Sequence, residues 1–257
     1  VKGKIAPYFR KTGVKLGELQ ARHIQSFYLY ELKTVSASTV IHEHANIHKA
    51  LKYAVKMDLI PYNPADKVER PKKQKYIADY YRLEELEQLF EATKDHPYSL
   101  LIQITAFYGL RRSEALGLRW DAIDFERGTI TIKHTVTSIQ VDGKTKMYAQ
   151  DSAKTKSSMR TLPLVGSFAE YFKEVKAAQE LNKQVCGNCY NYEYDGYVFV
   201  DELGDLMKPD YLTAYFPQYI QKHGLKRMRF HDLRHSCASL LLANGVPLKQ
   251  IQDWLGH

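Results

Sequence analysis

Two stripes of apolar residues at three- and four-residue spacing predict two helices near the start of the chain, over residues 16–33 and 37–57. Ser36 or Ser38 is a candidate N-cap for the second helix, and Pro61 lies beyond its end. The apolar positions are Ile24, Phe27, Tyr28 and Leu32 in the first stripe and Ile47, Leu51, Ala54 and Val55 in the second.

A polar, basic stretch follows these helices. Residues 67–75 read KVERPKKQK and show no apolar period, which is typical of a linker between domains. We therefore expect a helical domain over residues 1–68, a linker over 69–75 and a second domain over 76–257.

The remaining chain mixes helical and strand patterns. Alternation predicts strands at 128–136, 145–150 and 159–164, joined by a turn at Asp142-Gly143 into a small antiparallel sheet, and a short strand at 197–200. Helices are predicted at 82–94, 97–108, 166–184, 210–222 and 231–243, with a last helix starting at Pro247. The expected fold class is α+β and mostly helical, with an all-α first domain and a mixed second domain.

Positive charge is concentrated at the start of the chain. Residues 1–75 contain 15 Lys and Arg against 6 Asp and Glu, whereas residues 76–257 contain 22 against 23. This asymmetry favours a phosphate-binding module, although charge alone does not separate DNA, RNA and anionic lipid. Candidate contacts are Lys49, Lys52 and Lys56 on the second helix and Lys72, Lys73 and Lys75 in the linker. We expect His42, His44 and His48 to be exposed or phosphate-contacting rather than metal ligands.

The sequence argues against a membrane protein and against a secreted, disulfide-stabilised protein. No apolar run is long enough for a membrane span and no signal-peptide pattern is present. Three cysteines do not support a disulfide framework, which favours a reducing cytoplasm. Cys186 and Cys189 form one C-x-x-C pair, weak evidence for zinc, and Cys237 is expected in the core.

Two segments carry groups suited to a phosphodiester. Arg111 follows an apolar helix and Gly109, which would hold it at a fixed turn. His231 and Arg234 are three residues apart on one helix and can meet one ligand. Arginine suits phosphate because its planar, permanently charged fork binds two oxygens.

The segments LIQITAFYGLRRSEALGLRWDAIDF, FHDLRHSCASLLLANG and IQDWLGH resemble the active-site boxes of the tyrosine recombinases, the phage integrase family. They are similar to the boxes of phage and conjugative-transposon integrases. The resemblance implies a helical core-binding domain and a catalytic domain that close around duplex DNA. It also implies site-specific cutting and rejoining of strands through a 3′-phosphotyrosine, as a tetramer on DNA and without a cofactor or metal.

The resemblance assigns a role to each candidate catalytic residue. Arg111 and Arg234 match the arginines that clamp the phosphate, and His231 matches a histidine that assists proton transfer. His257 matches a histidine that hydrogen-bonds the phosphate. Lys154 matches a hairpin lysine that protonates the leaving oxygen, with Lys156 as the alternative.

Neighbouring polar residues are expected to have supporting roles. Glu114 and Asp232 are expected to orient these groups, unless they lie on an ordinary helix surface. Arg112 and His235 are assigned to structure or to the DNA backbone.

The nucleophilic tyrosine of the family follows the Leu-Gly-His box, and no tyrosine of this sequence lies after Tyr219. We therefore expect a fragment, shortened at both ends, that binds DNA without cleaving it.

Two alternatives stay open. The histidines of His231-Asp232-Leu233-Arg234-His235 have the spacing of a zinc hydrolase helix, with Asp where that motif needs Glu. A non-catalytic DNA-binding regulator with the same fold would have no use for Lys154.

Overall fold

The computed structural model describes residues 3–73, 79–151 and 159–256. It divides into two compact units, Val1–Ile77 and Ala78–His257. Each unit has its own apolar core, and the α+β, mostly helical fold class is confirmed. Within the described ranges, no helix is long and apolar enough to cross a membrane.

The described part of the first unit contains three α-helices, α1 (Ile5–Thr12), α2 (Ala21–Glu31) and α3 (Ala37–Lys56). The helix predicted over 16–33 is divided, because Leu16–Glu18 forms a separate 3₁₀ turn before α2. The helices enclose a core whose buried members are Ile24, Phe27, Tyr28, Val40, Ile47, Leu51, Ala54, Ile60 and Ala65.

The long helix α3 begins and ends where its sequence indicates. Ser36, rather than Ser38, is the N-cap, and its hydroxyl accepts a hydrogen bond from the backbone N–H of Thr39 at 3.3 Å. A 3₁₀ turn, Pro64–Lys67, follows the helix, and Asn63 caps it by accepting from the N–H of Ala65.

Two histidines of α3 have hydrogen-bond partners within the protein. Nδ1 of the half-buried His44 lies 2.6 Å from the hydroxyl of Tyr28. Nε2 of His48 lies 2.7 Å from a carboxylate oxygen of Asp66. Burial lowers the pKa of His44, and the positive charge of Arg70 adds to that effect. Only His42 of the three is exposed.

The second unit contains seven helices and five strands within its described residues. The helices are α4 (Leu83–Thr93), α5 (Ser99–Tyr108), α6 (Arg112–Leu116), α7 (Gly166–Cys186), α8 (Pro209–Lys222), α9 (Asp232–Ala243) and α10 (Leu248–Leu255). The strands are β1 (Ile123–Asp124), β2 (Thr129–Ile132), β3 (His134–Val141), β4 (Lys144–Asp151) and β5 (Arg160–Pro163).

The strands form two sheets where the sequence predicted one. β2 lies between β1 and β5 in a three-stranded antiparallel sheet, and β3 pairs only with β4 within the described strands. The strand predicted over 128–136 is interrupted at Lys133, so its two halves take different partners. The β3–β4 pair, called the ribbon below, turns at Asp142 and Gly143, which both have positive φ.

The prediction of a strand over 197–200 was wrong. Tyr197 and Val200 form only isolated bridges, with Arg119 and Leu206 respectively. The buried amide of Gln179 donates to the carbonyls of Tyr197 and Val198, which would otherwise be free to join a sheet.

The cysteines are free thiols. Cys237 is buried as predicted, and Cys186 and Cys189 stand on either side of Gly187 at the end of α7. The described residues contain no group of three His, Cys, Asp or Glu side chains able to hold a metal ion.

Candidate active site

Arg111 occupies a fixed turn between two helices. α5 is almost wholly buried and ends at Gly109, whose φ of +63° reverses the chain. Arg111 is then the N-cap of α6, and its guanidinium donates to the carbonyl of Gly256 at 2.9 Å. About a third of the Arg111 side chain, 36%, is exposed, so it can also reach a bound ligand.

Glu114 holds this arginine in place from one turn further along α6. Its buried carboxylate accepts from the Arg111 backbone N–H at 3.0 Å and from the Arg111 guanidinium at 2.5 Å. It also accepts from Arg160 of β5 at 2.9 Å. Burial raises the pKa of Glu114, but the two arginines outweigh that effect and hold the pKa below its ordinary value. Glu114 is therefore a buried organiser and not a helix-surface residue.

Arg234 reaches the same place from α9. Its buried guanidinium donates to the carbonyl of Gly109 at 2.5 Å and to the carbonyl of Leu255 at 2.7 Å. Burial, followed by the positive charge of Arg111, lowers the pKa of Arg234 to about 10. At neutral pH the group stays charged.

The two arginines meet at the end of α10. Arg234 binds the carbonyl of Leu255 and Arg111 binds that of Gly256, two consecutive peptide groups. Gly256 has a φ of +72° and ends the helix there. His257 is the next residue and lies outside the described residues.

His231 is the N-cap of α9, one turn before Arg234. Partial burial of the ring lowers the pKa of His231, and the positive charges of His235 and Arg234 lower it further. The neutral imidazole is therefore favoured, which suits a group that accepts or passes a proton. The rings of His231 and His235 are 5.6 Å apart and perpendicular.

Asp232 and Arg112 have structural partners away from this cluster. The buried carboxylate of Asp232 accepts two bonds from the Arg229 guanidinium, at 2.6 and 3.0 Å. Arg112 donates to the carbonyl of Pro209 and to the Thr213 hydroxyl. Asp232 therefore does not supply the free carboxylate that a zinc hydrolase helix would need.

The cluster has an excess of positive charge. Three guanidinium groups, on Arg111, Arg160 and Arg234, lie around the carboxylate of Glu114. The described partners of Arg234 include two carbonyl oxygens, which have no formal charge. Such a site can bind the non-bridging oxygens of a phosphodiester and stabilise charge that develops on them.

Residues 80–257 match the family model described as "Phage integrase family". The chain belongs to this family. The family resemblance that the three sequence segments indicated is thereby confirmed.

Curated relatives of the phage integrase family match along nearly the whole chain. A "Tyrosine recombinase XerC-like" protein of Caldanaerobacter subterraneus is 30% identical across 95% of this chain, which spans 66% of that relative's length. The "ICEBs1 integrase" of Bacillus subtilis is 25% identical across 98% of this chain and 67% of its own length.

Solved structures share the integrase fold. The Tn1549 transposon integrase in complex with a circular intermediate DNA has a TM-score of 0.79 at 19% identity, covering 98% of this chain and 84% of that one. A lambda integrase dimer bound to a core site has a TM-score of 0.67 at 16% identity, covering 98% and 81%.

Among the described residues, the structure brings together three of the five residues predicted to be catalytic: Arg111, Arg234 and His231. Lys154, its alternative Lys156, and His257 lie outside the described residues.

The predicted DNA-binding lysines belong to the first unit. Lys49, Lys52 and Lys56 are exposed along one face of α3, at positions i, i+3 and i+7. Lys72 and Lys73 are exposed beyond the last 3₁₀ turn, and Lys75 lies outside the described residues.

Sequence reasoning missed Arg160. It lies 46 residues from Glu114 and reaches it only because β5 folds back against the α6 region. The one available signal was an arginine opening a short strand just after the predicted lysine segment.

Proposed function

We propose that this integrase is a site-specific DNA recombinase of a mobile element. It cuts and rejoins DNA strands through a 3′-phosphotyrosine. The observation that carries the proposal is the convergence of Arg111 and Arg234 on the carbonyls of Leu255 and Gly256, with Glu114 holding Arg111.

In the proposed reaction, Arg111 and Arg234 bind the non-bridging oxygens of one phosphodiester. A tyrosine oxygen attacks phosphorus, and the bond to the 5′-oxygen breaks. His231 assists proton transfer, His257 hydrogen-bonds the phosphate, and Lys154 protonates the leaving 5′-oxygen. The phosphotyrosine bond retains the energy of the phosphodiester, so rejoining needs no external energy source.

Residues 1–68 form the core-binding domain in this proposal, residues 69–75 the linker, and residues 76–257 the catalytic domain. The exposed lysines of α3 and the linker supply backbone contacts on duplex DNA. Four copies assemble when two sites are brought together, and the protein works on the bacterial nucleoid. The Tn1549 and lambda integrase structures, each in complex with DNA, support the choice of DNA as partner.

The test uses a cleavage-competent form of the protein, which includes the nucleophilic tyrosine that follows the Leu-Gly-His segment, and a nicked duplex that traps the covalent adduct. Arg111→Ala and Arg234→Ala should leave DNA binding measurable but reduce adduct formation on the order of 100- to 1000-fold, as expected for the loss of one charge-stabilising donor. Arg127→Ala, at an arginine whose side chain is 85% exposed, is the matched control. Near-normal adduct formation by both cluster variants would instead favour a DNA-binding regulator.

A further inference from the structure

A chain of three polar side chains closes the open end of the ribbon. Nε2 of the buried His134 lies 2.8 Å from the Tyr197 hydroxyl. Its Nδ1 lies 2.7 Å from a carboxylate oxygen of Asp151. With Nδ1 protonated, the imidazole donates to Asp151 and accepts from Tyr197, so every group in the chain has a partner.

This polar chain joins parts of the unit that are far apart in sequence. His134 begins β3 and Asp151 ends β4, and the two residues face each other across the ribbon. Tyr197 belongs to the loop before α8, and Arg119 lies over its ring at 5.6 Å. The ring of His134 is therefore held from the core side, while its other nitrogen holds the end of β4.

The same end of the ribbon packs against the helix of the arginine cluster. A Cβ on Gly117, just after α6, would lie 2.6 Å from the Cα of Thr135 and 2.7 Å from the carbonyl of His134. Only glycine allows the backbones to approach this closely. The start of β3 is thus fixed one turn away from Glu114.

We infer that His134 is a positioning residue for the cleavage step: through Asp151 it fixes where the chain leaves the ribbon toward the lysine that protonates the leaving oxygen. This rests on the proposed recombinase function. In that step the tyrosine oxygen–phosphorus bond forms, the phosphorus–5′-oxygen bond breaks, and the leaving oxygen takes its proton from the lysine ammonium. Residues 152–158, which follow Asp151, lie outside the described residues, and the inference uses only Tyr197, His134 and Asp151.

The experiment compares two substrates in the cleavage-competent protein: a normal duplex and one with a 5′-bridging sulfur, whose leaving group needs no proton. His134→Ala should slow cleavage of the normal duplex on the order of 100-fold, the usual effect of displacing a catalytic group by about 1 Å. The sulfur duplex should be cleaved at close to the wild-type rate. His134→Asn, whose amide can replace Nδ1 toward Asp151, should retain more activity than His134→Gln, which can replace only Nε2.

Tyr197→Phe and Asp151→Ala each remove one of the two hydrogen bonds to the ring without removing the ring itself, and they test the positioning role if His134→Ala does not fold. Tyr148→Phe, at an exposed tyrosine of β4, is the matched control and should match the wild type on both substrates.

The outcomes separate the two proposals. No cleavage of either substrate by the tyrosine-containing form without further substitutions would contradict the recombinase function itself. Wild-type cleavage of both, with His134, Tyr197 and Asp151 variants equally slow on both or unchanged on both, would overturn the positioning role alone.

Discussion

Glu114 connects two arginines from different elements through one buried carboxylate, and this arrangement has a consequence for acid stability. The pKa of Glu114 in the folded protein lies below its ordinary value of 4.5, because Arg160 and Arg111 outweigh the effect of burial. Its contribution to the free energy of unfolding is therefore complete above pH 4.5 and is lost as the pH falls through the folded pKa.

Glu114→Gln should lower the free energy of unfolding at neutral pH by up to about 3–5 kcal/mol, the range for breaking a buried pair. The difference from the wild type should shrink as the pH falls below 4.5. Denaturant unfolding at a series of pH values measures this difference. Glu170→Gln, at an exposed ion pair with Lys173, is the control and should change stability by less than about 1 kcal/mol. A Glu114 effect independent of pH would contradict the ion-pair explanation.

Lys154 is predicted to be the general acid that protonates the leaving 5′-oxygen. Lys154→Ala should nearly abolish cleavage of a normal duplex in the cleavage-competent protein, because the leaving oxygen would lack a proton donor. A 5′-bridging sulfur should restore cleavage. Lys156→Ala serves as the paired variant, and if it alone shows the sulfur rescue, the acid is Lys156.

The arginines and His231 could be identified from the sequence because each lies in a short local segment with a characteristic order. The residues that hold them in place could not be identified from the sequence, because they act through contacts between residues far apart in the chain. Arg160 meets Glu114 across 46 residues and His134 meets Tyr197 across 63. An apolar or polar pattern reports the face of an element and not the partner that the face will meet.

Among the elements, the helices with a long apolar stripe were predicted, whereas the short helices α1 and α6 and the strand pairing were not. A helical stripe is local, whereas strand pairing depends on which distant segment supplies the partner. β2 and β3 look like one strand in the sequence, yet β2 pairs with β5 and β3 pairs with β4. The predicted turn at Asp142-Gly143 is present because its cause, two residues that tolerate positive φ, is local.

Close packing at the junction of α5, α9 and α10 depends on Gly109. Gly109 has a φ of +63°, and a Cβ there would lie 2.3 Å from a methyl carbon of Leu255 and 3.1 Å from the sulfur of Cys237. The Gly109 carbonyl also accepts from Arg234. Gly109→Ala should therefore destabilise the unit by more than about 1 kcal/mol and weaken adduct formation as well.

Thermal unfolding and the covalent-adduct assay check these two effects. Gly128→Ala is the matched control, because Gly128 has a similar φ of +62° but no atom within 4 Å of its added Cβ. It carries the backbone strain without the crowding. Equal effects of the two substitutions would show that close packing at Gly109 has no special role.

Over the whole molecule, charge and chemistry are separated along the chain. The first 75 residues have a net charge of +9, and the remaining residues have a net charge of −1. The arginine cluster of the second unit is thus a local positive site within a nearly neutral unit. We expect the first unit to supply most of the nonspecific affinity for DNA and the second to supply the chemistry.

This separation predicts how salt acts on DNA binding. If Lys72, Lys73 and Lys75 each neutralise one phosphate, replacing all three with Gln should reduce the slope of log affinity against log salt by up to about 2.7. The loss of affinity should be similar on target and unrelated duplexes, because phosphate contacts carry no sequence information. Fluorescence anisotropy over a range of salt concentrations, with the triple variant Lys49, Lys52 and Lys56→Gln as a second test, measures the slope. The control is a triple variant of the second unit that removes the same charge, with Gln at Lys173, Lys176 and Lys222. This control should leave the slope nearly unchanged. An equal reduction by both sets would mean that net charge, and not contact by the first unit, governs binding.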